Sequence, residues 1–177
     1  AKSMEYLHVY RGTGIKEVLV DVSTQMCLGE LMQQKAKFDT NLQTKDTYFL
    51  QVHRKTASLI AASCYTGALA GNMPESEAKM LRLYGEKLGI AFQLRDDLLD
   101  YSDTQLFGKT TGQDIKSGTF TLPVIMLLEN GVPDSVRTLI EKRNKSESEV
   151  HWLVNYVKGT GVLRYIEALI KEISYEA

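Results

Sequence analysis

The 177-residue sequence predicts an all-α protein, and three observations carry that reading. Apolar residues recur at three- and four-residue spacing over long stretches, which is the period of a helix with one buried face. There are only three prolines, and no Asn-Gly or Asp-Gly turn stands between alternating apolar runs, so strands find little support. Apolar content of 44% and charged content of 24% belong to an ordinary globular chain long enough for one domain with a full core.

The elements follow in order. Residues 1–12 hold Met4, Leu7 and Val9 without a start signal, and Tyr6, His8 and Tyr10 read as the end of something begun earlier. The chain is therefore expected to start in mid-fold. Over 14–34, Ile15, Val18, Leu19, Val22 and Met26 define an amphipathic helix. Gly29 near its end predicts close helix packing, and Glu30 reads as a solvated acid. A second helix is expected over 45–70, with Leu50, Leu59, Ile60, Tyr65 and Leu69 apolar and Gly71 as its stop. Within it Lys55 precedes the small apolar run from Ala57 to Cys64, so its ammonium is expected to face a cavity. Pro74 suits the start of a third helix, and Glu75 and Glu77 complement its dipole. That helix should reach about Tyr101. The segment 102–119 reads as a polar, glycine-bearing loop of the length that often carries function. A short apolar helix follows over 120–129, entered at Thr121-Leu122-Pro123, then a polar one over 134–143. Ser146 and Glu149 form a capping-box pattern that starts a helix through Lys158. After Gly159-Thr160-Gly161, Leu163, Ile166, Leu169, Ile170 and Ile173 mark the last helix.

Composition excludes several function classes. A net charge of -1 gives no electrostatic reason to expect nucleic acid or an acidic membrane as partner. No apolar run reaches transmembrane length, and Ala1-Lys2-Ser3-Met4-Glu5 is not a signal peptide. Cys27 and Cys64 lie far apart on apolar helical stretches and read as buried free thiols, which suggests a reducing, cytoplasmic compartment. Zinc motifs are absent, and His8, His53 and His151 are too scattered to build a catalytic triad. Gly108-Lys109-Thr110 mimics the end of a P-loop, but Asp103 stands where the first glycine is required and a helix precedes it.

The chemistry concentrates in the run from Gly89 to Asp100. On a helix, Asp96 and Asp100 stack one turn apart with Asp97 beside them. Three acids at the negative end of a helix dipole repel one another unless something cationic compensates. An all-oxygen set of this kind suits a hard divalent cation such as Mg²⁺, which keeps positions for phosphate oxygens. A helix-borne Mg²⁺ site able to hold a diphosphate is the reading.

Taken together the motifs become recognisable. Phe92-Gln93-x-x-Asp96-Asp97-x-x-Asp100 resembles the second aspartate-rich motif of the trans-isoprenyl (polyprenyl) diphosphate synthases. Lys55-Thr56-Ala57 resembles that family's K-T motif, and Gly29-Glu30 with Gln33 its G-E-x-x-Q helix. Gly108-Lys109, Gly112, Asp114 and Thr121-Leu122-Pro123 resemble its lysine loop and T-L-P helix start. The resemblance implies an isoprenoid-synthase-type helical bundle around a central cavity, usually a dimer, either homodimer or heterodimer. It implies condensation of isopentenyl diphosphate with an allylic diphosphate, assisted by Mg²⁺. By the same resemblance Asp96 is the main metal ligand, with Asp97 and Asp100 direct or through water. Lys55 and Lys109 would hold the allylic diphosphate, Thr56 and Gln93 would direct oxygens to the developing cation, and Asp114 would support the substrate site from behind.

Two departures stand out. Thr119 occupies a position before T-L-P where the family often has lysine, with Lys116 nearby. The family's first aspartate-rich motif is not among these residues, so the chain resembles only the C-terminal portion of a larger prenyl synthase domain. Alone it is expected to be inactive. The rival readings are a non-catalytic helical partner subunit of a heteromeric synthase and a class I terpene cyclase. Retention of Lys55, Lys109 and the aspartates argues against the first, and the Lys55-Thr56 pair and T-L-P entry against the second.

Overall fold

The structure, a computed structural model, describes residues 14–102 and 111–177. Among the described residues every regular element is helical, as the periodicity predicts. Helix α1 spans Ile15–Ala36, α2 Lys45–Val52, α3 Ser58–Ala70 and α4 Glu75–Leu99. Then come α5 Gln113–Ser117, α6 Leu122–Glu129, α7 Asp134–Glu141, α8 Glu147–Gly159 and α9 Val162–Glu176.

The core forms around α6. All residues from Leu122 to Leu128 are buried, so this helix is apolar on every side and must be surrounded. Tyr48 and Val52 of α2, Leu94 and Leu98 of α4, Leu153 and Val157 of α8 and Ile166 of α9 join it in one cluster. On the other side the segment from Ala57 through α3 lies along α4 through small residues. A Cβ on Gly89 would stand 2.5 Å from Ala57 Cα, and one on Gly85 2.9 Å from Ala61 Cα.

The chain over 45–70 is not one uninterrupted α-helix. His53–Ala57 forms a π-helical turn, in which the Ser58 N–H bonds to the His53 carbonyl five residues back. The extra residue bulges the backbone where α1 and α4 press on it from two sides. A Cβ on Gly29 would meet the Lys55 nitrogen at 2.7 Å, so the expected close packing at Gly29 is present and falls on this bulge. Gly71 ends α3 as expected, but with φ of -84°, and Asn72 at φ 56° makes the left-handed turn instead.

The segment 102–119 also differs from a plain loop, because Gln113–Ser117 is helical. Gly118 follows at φ 75°, and a side chain there would collide with the Phe38 ring at 2.5 Å. The Phe38 N–H in turn bonds to the Gly118 carbonyl at 2.9 Å, fastening the α1–α2 connection to the entry of α6. The capping box at Ser146 forms in both directions, with Glu149 N–H to Ser146 Oγ at 3.3 Å and Ser146 N–H to Glu149 Oε2 at 2.7 Å. Both cysteines are free, but Cys27 is exposed and Cys64 only half-buried, contrary to the expected burial. The buried stripe of α1 runs through Ile15, Val22 and Gly29, and Cys27 lies off it beside the exposed Val20, Leu28 and Leu31. No helix among the described residues is long and apolar enough to cross a membrane.

Candidate active site

The π turn brings Lys55 to α1 and Thr56 to the C-terminal third of α4. Together with Gln33, Tyr48, Gln93, Asp97, Thr119 and Thr121 they line a cleft of about 40 Å³. Bulges of this kind often mark functional positions in helices. Lys55 Nζ donates to Gln33 Oε1 at 2.5 Å and pairs with Glu30 Oε2 at 2.8 Å. Glu30 keeps the solvent contact expected from sequence, with its side chain 46% exposed, but is also paired with Lys55. Its carboxyl is held below the usual range by the Lys55 hydrogen bond and then by Gln34. With two of three ammonium hydrogens engaged, Lys55 keeps one for a ligand.

Thr56 Oγ1 donates to Gln93 Oε1 at 3.0 Å, and Gln93 Nε2 donates to Asp97 Oδ1 at 2.9 Å. Tyr48 donates its phenolic hydrogen to Asp97 Oδ2 at 2.5 Å. The Leu122 N–H at the start of α6 adds a third donor to the same carboxylate. Asp97 is only 2% exposed, and burial pushes its carboxyl up to about 6 against the pull of these donors. Burial beside Asp97 likewise drives the Tyr48 phenol well above its ordinary range.

Asp100 is tied elsewhere. Its Oδ1 accepts from Gln113 N–H at 3.0 Å and its Oδ2 from Asp114 N–H at 3.1 Å, so it holds the start of α5. Burial raises its carboxyl, opposed by those backbone N–H groups. Asp114 thus stands behind Asp100 at the first turn of α5, partly buried. Lys109 lies outside the described residues.

The three aspartates of one helix end consequently face different neighbours. Asp96 is exposed, while Asp97 and Asp100 are turned onto N–H and O–H donors. Among the described residues no group of three or more His, Cys, Asp or Glu side chains is arranged to hold a metal ion. The expected crowd of three free acids on a hostile helix dipole is relieved by amides at the starts of α5 and α6. The donor set still fits Mg²⁺, which commonly takes one or two carboxylates, keeps water and completes its shell with phosphate oxygens. The buried Thr121 hydroxyl also lines the cleft, next to the Tyr101 hydroxyl.

Sequence reasoning on site residues missed Tyr48 and Thr121. Tyr48 carried a signal: it precedes Lys55 by seven residues, two helical turns on one face. Thr121 had been assigned only to a helix entry.

An all-α fold with this cleft is that of an isoprenyl synthase, and the comparisons agree. The polyprenyl synthetase family model matches residues 1–157, and the chain belongs to that family. It is 39% identical over 131 residues to heptaprenyl diphosphate synthase component 2 of Geobacillus stearothermophilus, covering 73% of this chain and 41% of that protein. It is 40% identical over 136 residues to the octaprenyl diphosphate synthase of Escherichia coli, with the same coverage. The crystal structure of a Caulobacter crescentus polyprenyl synthase complexed with calcium and isoprenyl diphosphate superimposes with a TM-score of 0.85 at 29% identity. That match covers 96% of this chain and 52% of the other. The chain spans about half the length of these proteins or somewhat less.

Proposed function

We propose that this chain forms the C-terminal portion of a trans-polyprenyl diphosphate synthase, which condenses isopentenyl diphosphate with an allylic diphosphate. The observation that carries the reading is the convergence of Lys55, Thr56 and Gln93 on one cleft beside the Asp96 helix end. Family membership and a relative crystallised with calcium and isoprenyl diphosphate support it.

In this reading the free hydrogen of the Lys55 ammonium binds diphosphate oxygen, with Glu30 and Gln33 holding the lysine in place. Lys109 supplies a second cation to the same anion. Thr56 and Gln93 present oxygens to positive charge developing on the allylic carbon, a form of electrostatic stabilisation that costs no reorganisation. Mg²⁺, when bound, supplies Lewis acidity at the diphosphate. Asp96 is its carboxylate ligand, with Asp97 and Asp100 reaching it directly or through water. Asp114 keeps Asp100 in place. The assembly is a homodimer or heterodimer, and the name "component 2" of one relative favours a second kind of chain. Two free cysteines are in keeping with the cytoplasm.

The test is an elongation assay on the complete protein containing this chain, with Mg²⁺, labelled isopentenyl diphosphate and an allylic primer. Lys55→Ala should lower kcat/KM by about a hundredfold or more, the scale of losing one electrostatic contact in a catalytic site. Full activity in that variant refutes the role of Lys55 and favours a non-catalytic partner subunit. Sustained elongation by a chain of verified 19.9 kDa mass would show that no further residues are needed.

A further inference from the structure

Tyr48 belongs to the site in a way that goes beyond contact. Asp97 is buried and receives three hydrogens: from the Tyr48 hydroxyl, the Gln93 amide and the Leu122 N–H. A carboxylate accepts and does not donate. Gln93 must therefore turn its NH₂ toward Asp97, which leaves its carbonyl facing Thr56. Thr56 has one hydroxyl hydrogen, and that hydrogen goes to the Gln93 carbonyl at 3.0 Å. The order of the chain is fixed from the buried end outward, and the threonine oxygen is left with its lone pairs toward the cleft. Were Gln93 reversed, its NH₂ would donate to Thr56 and the threonine hydrogen would point out instead.

The Gln93–Asp97 bond joins side chains one turn apart on the same helix, so it does not tie that face of α4 to another element. Tyr48 comes from a separate helix, with its ring 5% exposed and packed edge-on against Phe49 at 5.3 Å between centroids. Among the described residues two anchors outside α4 hold the Asp97 carboxylate inward, the tyrosine hydroxyl and one backbone N–H. Of these Tyr48 is the only side chain.

We propose that Tyr48 is a positioning residue: by holding Asp97 inward it sets the direction of the Gln93–Thr56 hydrogen bond, and with it the polarity that Thr56 presents to the bound isoprenoid. The use made of that polarity rests on the prenyl-transfer reading, because lone pairs stabilise an allylic cation and a hydroxyl hydrogen opposes it. The bond order itself is a property of this chain alone.

Two variants separate the possibilities. Tyr48→Phe keeps the ring and removes the donor. Asp97→Asn keeps the shape, but its new NH₂ favours a Gln93 carbonyl and so reverses the chain. Tyr101→Phe is the control, since it deletes a buried hydroxyl that gives no hydrogen bond to Asp97 or Gln93 among the described residues. The first readout is solvent exchange of the Gln93 side-chain amide protons, followed by NMR on the glutamine-labelled complete protein. The loss of one charge-assisted hydrogen bond should speed that exchange at least about tenfold in Tyr48→Phe, with Tyr101→Phe unchanged. Exchange within about twofold of wild type in Tyr48→Phe overturns the proposal.

The second readout is kinetic, on the complete protein. Tyr48→Phe should lower kcat about tenfold or more while KM for both diphosphates stays within about twofold. An unchanged kcat with raised KM places Tyr48 in substrate binding and overturns the positioning role. If the complete wild-type protein does not elongate at all, the prenyl-transfer reading fails. The exchange experiment then decides the role of Tyr48 without it.

Discussion

Gly89→Ala tests how the packing of the π turn on α4 is coupled to the site. The new Cβ would lie 2.5 Å from Ala57 Cα and 2.9 Å from Ala57 Cβ, whereas ordinary contact begins at 3.4 Å. The obstructing atoms are backbone and the first side-chain carbon, so no flexible tail can move aside. Either the helices separate by up to about 0.9 Å locally or the contact stays compressed, and overpacking of this kind costs about 1–3 kcal/mol. Replacing a helical glycine by alanine recovers about 1 kcal/mol of backbone propensity. A clash against backbone belongs at the upper end, so the net loss is about 2 kcal/mol, or about 4–8 °C in Tm for a chain of this size. Gly67 in α3 is the counterpart, with open space where its Cβ would go. Gly67→Ala should gain up to about 1 kcal/mol. Urea and thermal unfolding of the two variants, followed by circular dichroism, should thus move in opposite directions. Stabilisation by both would refute the argument that glycine at 89 is required by contact. The same displacement would carry Thr56 from its 3.0 Å bond with Gln93 toward a separation too long to hold. Gly89→Ala should therefore also speed exchange of the Gln93 amide.

Two further outcomes follow from the carboxylates. The Asp97 carboxyl is raised from 3.8 to about 6, so the folded state binds its proton more tightly than the unfolded state. Its stabilising contribution is present below about pH 4 and is lost as pH rises through about 6, amounting to about 3 kcal/mol at most. The stability of wild type relative to Asp97→Asn should fall between pH 4 and pH 7, and a difference independent of pH refutes the buried-charge account. Asp100→Ala removes the acceptor for the Gln113 and Asp114 N–H groups and should cost about 1 kcal/mol, as loss of a helix cap does. Hydrogen exchange at those two amides should rise sharply while α8 stays protected, and unchanged protection refutes the capping role.

Much of the fold was legible because helical periodicity is a local property. The helices expected over 14–34, 74–101, 134–143 and 146–158 lie within about three residues of the observed ends, the usual uncertainty of frayed termini. The exceptions have physical causes. The π turn inserts one residue, which barely disturbs an apolar pattern as broad as that over 45–70. Helix α5 is five residues long and too short to show a period, and its cap comes from Asp100, thirteen positions earlier. Cys27 was misassigned because α1 carries exposed Val20, Leu28 and Leu31 opposite its buried stripe, so apolar character did not identify the inner face. The inward turn of Asp97 depends on Tyr48 and Leu122, 49 and 25 residues away, and no local pattern reports such partners.

The site residues that were legible prove to be mechanically linked. Gly29, Lys55-Thr56-Ala57 and Gly89 looked like separate short motifs on three helices. In the folded chain Gly29 touches the Lys55 backbone and Gly89 touches Ala57, from opposite sides of the same π turn. A π bulge widens the helix, and a widened helix can be packed closely on two neighbours only where both lack a side chain. The bulge in turn brings Lys55 to Glu30 and Gln33 on one neighbour and Thr56 to Gln93 on the other. The two glycines are thus part of how Lys55 and Thr56 are aimed. An alanine at either position is expected to disturb the side-chain network before it unfolds the bundle.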